Sequence, residues 1–187
     1  MIKELLLATT NKGKYKEFEF ITGRKLIFAP EIADLIVEET GKTYSENAML
    51  KAKTWAEKSG LPCLADDSGL EVEALDGAPG LFSARIANGN ENRISWLLDE
   101  LKNKSNRRAR FVASLALCVP EKFMLITQGY CYGTIADSPR GYNGFGYDPI
   151  FIPDGYDKSF AELGDEIKNQ ISHRTNAFRK INDILSK

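Results

Sequence analysis

The residues best suited to chemistry are two neighbouring carboxylates, Asp66 and Asp67, which precede Ser68-Gly69. The apolar segment from Pro62 to Ala65 predicts a buried strand, so we expect the two acids at its end. Adjacent carboxylates in a buried setting repel each other and need solvent, a cation or hydrogen-bond donors. Mg²⁺ prefers such hard oxygen ligands and often takes one or two carboxylates together with substrate phosphates. The alternative is a capped turn that leads into the next strand.

A polar segment near the start of the chain has the features of an anion site. Leu5 to Ala8 predicts a short buried strand, and Thr9 to Lys14 connects it to a helical pattern. The main-chain N–H groups and the dipole at a helix N-terminus favour anions. Asn11 adds a neutral donor and Lys14 adds a positive charge. An ordinary strand-to-helix turn has the same pattern, so this segment alone leaves both interpretations open.

Two further segments could recognise a flat, polar ligand. Gly144 to Pro149 places Phe145 and Tyr147 between glycines, with Asp148 before the proline. Aromatic rings stack on purines, and a carboxylate accepts hydrogen bonds from ring N–H groups; an aromatic core loop is the alternative. Ser172-His173-Arg174 lies at the start of the last predicted helix, where cations oppose the dipole and indicate an anionic or acceptor-rich ligand.

Several other kinds of site are excluded. Gly41-Lys42-Thr43 is similar to the end of a P-loop, but Ile36 stands where that motif needs a glycine. His173 is the only histidine, and no serine lies in a Gly-x-Ser-x-Gly motif, so no nucleophilic triad can form. The three cysteines lie in apolar or aromatic surroundings and form no closely spaced metal pair.

The elements that must position these residues alternate between strands and helices. Thr43-Tyr44-Ser45-Glu46 has capping-box spacing and predicts a helix that ends at Gly60. The apolar spacing from Ile94 to Leu101 predicts another helix. Two long strands on either side of Pro120-Glu121 predict an antiparallel hairpin. This order of elements predicts an α/β domain with a mixed sheet.

Composition limits the classes of partner. The chain of 187 residues suits one domain, and a formal net charge of −1 argues against a protein that binds nucleic acid by broad electrostatic attraction. We expect the basic cluster Arg107-Arg108-Ala109-Arg110 to be a solvated turn before a strand. The first residues do not resemble a signal peptide, and no apolar run approaches about 20 residues. We therefore expect a cytoplasmic protein with no membrane and no stable nucleic-acid partner.

Taken together, six motifs resemble those of the inosine triphosphate pyrophosphatase family, which hydrolyses non-standard purine nucleoside triphosphates. In chain order they are Ala8 to Lys14, Glu46-Asn47-Ala48 with Lys51, Ala65 to Leu70, Gly77 to Gly80 with Ser83-Ala84-Arg85, Gly144 to Pro149, and Ser172-His173-Arg174. Each motif is weak alone, but all six in this order are specific, and they cover nearly the whole chain. The resemblance implies one domain over residues 1–187, built on an elongated mixed β-sheet flanked by helices. It also implies two lobes with a central active-site cleft, and a protein that forms a homodimer.

The resemblance also implies a role for each site residue. Asp67 would activate the attacking water and, with Glu38, would hold Mg²⁺, for which Mn²⁺ can substitute; Glu39 and Glu46 are alternatives for the second ligand. The triphosphate would be bound by Thr9, Thr10, Asn11, Lys12, Gly13, Lys14 and Lys51. Ser68 would touch the substrate. The base would be held by Phe145, Gly146, Tyr147, Asp148, Lys168, His173 and Arg174.

The expected reaction converts ITP, dITP or XTP to the monophosphate and pyrophosphate. Attack of water at the α-phosphorus needs charge neutralisation and positioning more than covalent chemistry, and it releases pyrophosphate intact. Two alternatives stay open. Another nucleotide hydrolase would remove the γ-phosphate or act on pyrimidines, whereas a nucleotide sensor would bind without turnover.

Overall fold

The computed structural model describes residues 2–185; Met1, Ser186 and Lys187, which the predicted domain includes, lie outside the described residues. Strands and helices alternate through most of this range, as the sequence predicts. In chain order they are β1 (Leu6–Leu7), α1 (Lys12–Thr22), β2 (Ile27–Phe28), α2 (Ala29–Ile32), α3 (Tyr44–Ser59), β3 (Cys63–Val72), α4 (Asn90–Glu100), β4 (Arg108–Val119), β5 (Phe123–Ile135), β6 (Phe151–Pro153), α5 (Phe160–Ile171) and α6 (His173–Leu185).

The strands form one six-stranded sheet in the order β2-β1-β3-β4-β5-β6. Strand β1 pairs in parallel with β2 and β3, with Leu7 opposite Leu64, whereas β5 and β6 are antiparallel. This topology confirms the predicted mixed α/β class. In the part of the chain that the structure describes, no helix combines the length and the apolar character that crossing a bilayer requires.

The chain separates into two compact units. The first contains the residues up to Asp67, Ala113–Gly129 and the residues from Arg174 onward, and the second contains Ser68–Val112 and Tyr130–His173. Strands β3, β4 and β5 each contribute residues to both units. The predicted cleft between two lobes stays a prediction.

The first unit buries both faces of β1 and β3. One cluster packs α1 and α6 against the sheet and includes Leu5, Leu7, Phe18, Leu64, Ala113, Leu115, Phe178 and Ile181. The other packs α3 against the sheet and includes Leu6, Ala8, Ala48, Ala52, Trp55, Cys63, Ala65 and Ala116. Successive side chains of a strand point to opposite faces, and Cys63, Leu64 and Ala65 alternate between the two clusters accordingly. The same alternation directs Asp66 toward α1 and α6, and Asp67 toward α3.

The second unit has its own core. Its members include Leu70, Val72, Ile94, Leu97, Leu101, Ala109, Phe111, Cys131, Ile135, Tyr147, Ile150, Phe151 and Phe160. The ring centroids of Phe111 and Phe151 lie 4.6 Å apart, and those of Phe151 and Phe160 lie 5.3 Å apart. Tilted and offset ring pairs of this kind stabilise a core beyond their buried area. Because Tyr147 belongs to this cluster, the core anchors the loop of the Gly-Phe-Gly-Tyr-Asp-Pro motif.

Helix α3 begins and ends where the sequence predicts. The Thr43 hydroxyl accepts a hydrogen bond from the N–H of Glu46 at 3.1 Å, and Gly60 ends the helix in the left-handed conformation at φ 71°. The Glu46 carboxylate accepts from the N–H of Lys42 at 2.6 Å, one residue earlier than in a standard capping box. The predicted N-terminal cap is therefore confirmed, with a shifted second bond.

Two local predictions were wrong. Asp66 and Asp67 do not follow a strand but lie within β3, because that strand continues beyond its pairing with β1 and ionic partners from the helices compensate the two charges. The segment from Arg107 to Arg110 is not a solvated turn, since β4 begins at Arg108. Arg108 pairs with Asp154 at 2.6 Å, and Arg110 pairs with Glu71 at 2.8 Å. Arg108 and Arg110 lie on one face of β4, where these carboxylates neutralise them, while Ala109 between them is buried.

Candidate active site

The loop from Thr9 to Lys14 leaves the sheet at the end of β1, next to the acidic part of β3. The N–H of Ala8 still donates to the Leu64 carbonyl at 2.8 Å, and α1 begins four residues later. The Asn11 side-chain oxygen accepts from the N–H groups of Gly13 and Lys14 at 2.8 and 3.1 Å. Asn11 is therefore an N-cap residue. This cap uses the amide oxygen, so the Asn11 nitrogen takes no part in it.

The first turn of α1 carries cations and no acid. Lys12 and Lys14 lie there, although negative charge is what the N-terminal end of a helix dipole favours. Thr10 and Lys12 are exposed, and the Lys14 side chain is 18% exposed. Asn11 caps the N–H groups of Gly13 and Lys14, so the lysines and the helix dipole are what make this end of α1 suited to an anion such as phosphate.

Asp66 is the centre of a buried ionic network. Its carboxylate accepts from the Lys14 ammonium at 2.6 Å and from Nε of Arg174 at 3.3 Å, and Arg174 also pairs with Glu17 at 2.9 Å. Burial alone would raise the pKa of Asp66, but Lys14 and Arg174 hold it well below its usual range. Burial also lowers the pKa of Lys14, and the Asp66 carboxylate opposes that change. Asp66 is therefore a buried counter-ion that orients two cations.

Asp67 faces helix α3 and has different partners. Asn47 donates from Nδ2 to Oδ2 of Asp67 at 3.1 Å, and the Lys51 ammonium lies 3.5 Å from Oδ1. Lys51 also pairs with Glu39 at 2.6 Å and donates to the Asp66 carbonyl at 2.7 Å. Burial raises the pKa of Asp67 despite the opposing effect of Lys51, and the Glu39 charge adds to the rise. A raised pKa makes this carboxylate a stronger base than an ordinary aspartate.

The two adjacent carboxylates point to opposite faces of β3 and form different ion pairs. Asp66 binds side chains of α1 and α6, whereas Asp67 binds side chains of α3. Asp66 pairs with two cations, Lys14 and Arg174, whereas Asp67 lies near Lys51, which also pairs with Glu39. The Asp66 charge is compensated within the protein, which leaves Asp67 as the acid suited to a ligand.

The acids proposed as a second metal ligand lie in different settings. Glu38 is exposed, Glu39 is partly buried against Lys51, and the Glu46 carboxylate accepts from a main-chain N–H. Glu39 and Asp67 both approach the Lys51 ammonium, so their oxygens already converge on one positive charge. Within residues 2–185 no cluster of three His, Cys, Asp or Glu side chains suited to a metal occurs. Mg²⁺ often needs only one or two carboxylates beside substrate phosphates, so this oxygen donor set fits it.

The second unit brings together three residues predicted to hold the base. Asp148 accepts from the Lys168 ammonium at 2.6 Å and from the N–H of Phe145 at 2.8 Å. The same ammonium lies 4.3 Å from the centroid of the Phe145 ring, within the range of a cation–π interaction. Gly144 has φ 80°, and a Cβ at this position would collide with the Asp148 carboxylate. The glycine therefore permits the close approach that forms this group.

Other predicted base contacts lie deeper in the second unit. Tyr147 is 3% exposed and donates to the Ser83 carbonyl at 3.0 Å, and burial raises its pKa to about 12. The buried His173 ring stacks on Phe111 with a centroid distance of 4.8 Å. Phe145 is partly exposed, so of the two aromatic residues in the motif it is the one with a ring accessible for stacking. Ser68, also predicted to touch the substrate, is partly buried in β3.

Sequence reasoning assigned no role to Asn47, although it quoted this residue in a motif. It also missed Glu17, the ionic partner of Arg174, and did not see that Asp66 is a counter-ion. A signal for Asn47 was available, because Asn47 and Lys51 are four residues apart and so lie on one side of α3. No comparable pattern connects Glu17 with Arg174. The predicted contact of Arg174 with the base stays a prediction.

Comparison with known proteins identifies the family. The sequence model of the Ham1 family matches residues 5–184. The dITP/XTP pyrophosphatase of Halalkalibacterium halodurans is 45% identical over 195 residues, with 98% of this chain and 100% of the relative covered. That of Deinococcus deserti is 45% identical over 185 residues, with 94% and 86% covered.

Solved structures lead to the same family. The Staphylococcus aureus Ham1 protein is 43% identical, has a TM-score of 0.88, and is matched over 98% of both chains. A HAM1 protein from Coxiella burnetii is 40% identical at a TM-score of 0.88, with 100% of this chain and 99% of that chain covered. Because the match extends over nearly the whole length in sequence and in structure, the chain belongs to the Ham1 family, as the resemblance of its six motifs indicated.

Proposed function

We propose that this protein hydrolyses non-standard purine nucleoside triphosphates (ITP, dITP and XTP) to the monophosphate and pyrophosphate. The observation that carries the proposal is the setting of Asp67, a buried carboxylate that accepts from Asn47 at 3.1 Å and lies 3.5 Å from the Lys51 ammonium. This carboxylate lies in the same unit as the N-terminus of α1, which carries Lys12 and Lys14. The relatives named dITP/XTP pyrophosphatase support the choice of substrates.

The first unit binds the triphosphate in this proposal. The segment from Thr9 to Gly13 supplies threonine hydroxyls, the Asn11 amide and the Lys12 ammonium, and Lys14 and Lys51 supply further positive charge. Both lysines now pair with carboxylates, Lys14 with Asp66 and Lys51 with Glu39. A phosphate oxygen can add to the Lys14 pair because an ammonium has three donors. Lys51 also contacts the Asp66 carbonyl and Asp67, so a phosphate oxygen would replace its long contact with Asp67 at 3.5 Å. The carboxylates hold the lysines in place before the substrate arrives.

Asp67 and Glu38 would hold Mg²⁺, with Glu39 as the alternative second ligand and Mn²⁺ as a substitute ion. When bound, Mg²⁺ neutralises charge on the phosphate oxygens and polarises the phosphoryl group. Asp67 would take the proton of the attacking water, a role that a carboxylate within hydrogen-bond reach of that water can fill. Attack at the α-phosphorus then releases pyrophosphate.

The second unit selects the base. Hypoxanthine and xanthine carry an acceptor oxygen at position 6, where adenine carries an amino donor. Lys168 and His173 can donate to that oxygen, and Phe145 offers a ring for stacking. Gly146, Tyr147 and Asp148 complete the loop. We propose Arg174, which belongs to the first unit, as a further donor. Each donor left unsatisfied against adenine costs roughly 1–3 kcal/mol. Guanine shares the 6-oxygen, so its rejection needs another feature of the pocket.

The proposal also covers the oligomeric state, the partners and the cellular location of the protein. We propose a cytoplasmic homodimer that acts on free nucleotides, without a stable nucleic-acid partner. Light scattering on the purified protein tests the dimer, since a mass of one chain at assay concentration would contradict it.

A nucleotide panel tests the proposed function. With Mg²⁺, the protein should release pyrophosphate from ITP, dITP and XTP much faster than from ATP or pyrimidine triphosphates. Release of orthophosphate would instead indicate an enzyme that removes the γ-phosphate. Binding of ITP without any product would indicate a sensor. The Asp67→Asn variant is the control for contaminating phosphatases, because they would remain active in its preparation.

A further inference from the structure

One buried side chain connects both carboxylate-bearing segments of the candidate metal site. Asn47 is 1% exposed and projects from the first turns of α3. Its Nδ2 donates to Oδ2 of Asp67 at 3.1 Å, and its Oδ1 accepts from the N–H of Gly41 at 2.8 Å. A carboxylate can only accept and a main-chain N–H can only donate. These two bonds therefore fix the orientation of the amide, and a side chain with a single polarity cannot make both.

The turn that Asn47 holds carries the other acids. Gly41 follows Glu38-Glu39 by two residues and packs closely on α3, since a Cβ at Gly41 would lie 2.6 Å from Oδ1 of Asn47 and 2.7 Å from Cβ of Glu46. Glu39 in turn reaches the Lys51 ammonium at 2.6 Å. The absence of a side chain at Gly41 therefore lets this part of the turn pack directly against α3.

We infer that Asn47 is a positioning residue, which sets the distance between the Asp67 carboxylate on β3 and the turn that carries Glu38 and Glu39. The inference rests on the proposed function in that it takes these acids as the metal ligands. Asn47 touches neither metal nor substrate in this account. It acts through Asp67 on one side and through Gly41 on the other.

The role predicts how metal binding responds to substitution. Residues that orient metal ligands typically change metal affinity about 10- to 100-fold when they are replaced. Asn47→Leu keeps a similar size and shape and removes both hydrogen bonds. Gly41→Ala keeps the Asn47 side chain but places a Cβ 2.6 Å from its Oδ1, which forces the turn away from α3. Both variants should therefore bind a divalent ion more weakly, although neither removes a carboxylate.

Ser45→Ala is the matched control. Ser45 lies two residues before Asn47 in α3, and its hydroxyl contacts Ser114 at 3.0 Å and accepts from Gln128 at 3.1 Å. The variant thus removes a comparable pair of polar contacts from the same helix without touching Asp67 or Gly41. It reports how much a general loosening of α3 affects the site.

The test is a titration of each protein with Mn²⁺ alone, in which the EPR signal of free Mn²⁺ gives the Kd. Thermal unfolding of the same samples shows whether each variant is folded. We expect the Kd to rise about 10- to 100-fold in Asn47→Leu and Gly41→Ala and to change less than about twofold in Ser45→Ala. Unchanged affinity in both Asn47→Leu and Gly41→Ala would overturn the inference. An equal loss in Ser45→Ala would overturn it too.

Two further outcomes keep the inference separate from the proposed function. If Asn47→Leu does not fold, Gly41→Ala alone decides, because it retains Asn47 and disturbs only the packing of the turn on α3. If the wild-type protein binds no Mn²⁺, the inference falls. The release of pyrophosphate from ITP by the wild-type protein is measured in parallel and tests the proposed function on its own.

Discussion

Replacement of Asp67 by asparagine removes one charge and one basic oxygen from the site while the side chain keeps its size. Lys51 loses its contact at 3.5 Å but keeps Glu39 at 2.6 Å and the Asp66 carbonyl at 2.7 Å. The new amide oxygen can still accept from Asn47. Burial raises the pKa of Asp67, which means that the protein carries this charge at a cost. We therefore expect the free energy of unfolding to change by only about 1 kcal/mol.

Turnover should respond far more strongly than stability. Loss of a general base typically lowers the rate about 100-fold or more, and a factor of 100 corresponds to roughly 2.7 kcal/mol in the activation free energy. A loss of metal affinity would add to this effect at low Mg²⁺ and would be relieved at high Mg²⁺. The part of the loss that persists at saturating Mg²⁺ therefore measures the role of Asp67 as base.

The assay is pyrophosphate release from ITP over a range of Mg²⁺ concentrations, with chemical denaturation of the same preparations. Asp34→Asn is the matched control, since Asp34 is an exposed aspartate of the first unit. This control should turn over ITP at the wild-type rate. Near-normal turnover of Asp67→Asn at saturating Mg²⁺ would refute the reasoning, as would a loss of activity fully explained by unfolding.

Three other changes probe phosphate binding, base recognition and burial. Gly144→Ala should raise KM for ITP well above that of Gly146→Ala, because both glycines have positive φ but only a Cβ at Gly144 would strike Asp148; equal KM values would contradict this. Lys51→Ala removes a contact worth ~1.5–3 kcal/mol and should weaken triphosphate binding, measured by calorimetry without divalent metal, far more than monophosphate binding; an equal loss would assign Lys51 to the fold. Tyr147→Phe should be about 1 kcal/mol less stable at pH 7. Since burial raises the pKa of Tyr147 from 10.0 to about 12, its protonated form stabilises the fold below about pH 10, and this contribution falls by about 1.4 kcal/mol per pH unit above it. The variant should then be the more stable protein near pH 12, and a difference that stays constant in denaturation at both pH values would contradict this.

The sequence predicted the elements whose ends carry local signals. Helix α3 could be placed because Thr43 caps it and Gly60 ends it. Helix α5 was not predicted, although Ser159 forms a capping box with Glu162, because Gly164 interrupts the helical pattern at φ 77°. Local propensity identifies an element only where its periodicity is continuous.

The site could be predicted in its residue types but not in its contacts. Asp67 and Lys51 were both assigned to it from motifs, and the structure places them 3.5 Å apart. The separation of Asp66 from Asp67 could not be predicted, because it depends on the continuation of β3 and on which helix covers each face. Arg174 was assigned to the base, yet it pairs with Asp66, which lies 108 positions earlier in the chain. Contacts over such distances are set by tertiary packing, which short motifs do not encode.

The most direct test of the account follows the oxygen of the attacking water. The protein is mixed with ITP and Mg²⁺ in ¹⁸O-labelled water for a single turnover, and the masses of the products are measured by mass spectrometry. Attack at the α-phosphorus predicts one labelled oxygen in inosine monophosphate and unlabelled pyrophosphate, in equal amounts. Label in pyrophosphate, or inosine diphosphate with labelled orthophosphate, would contradict the proposed reaction.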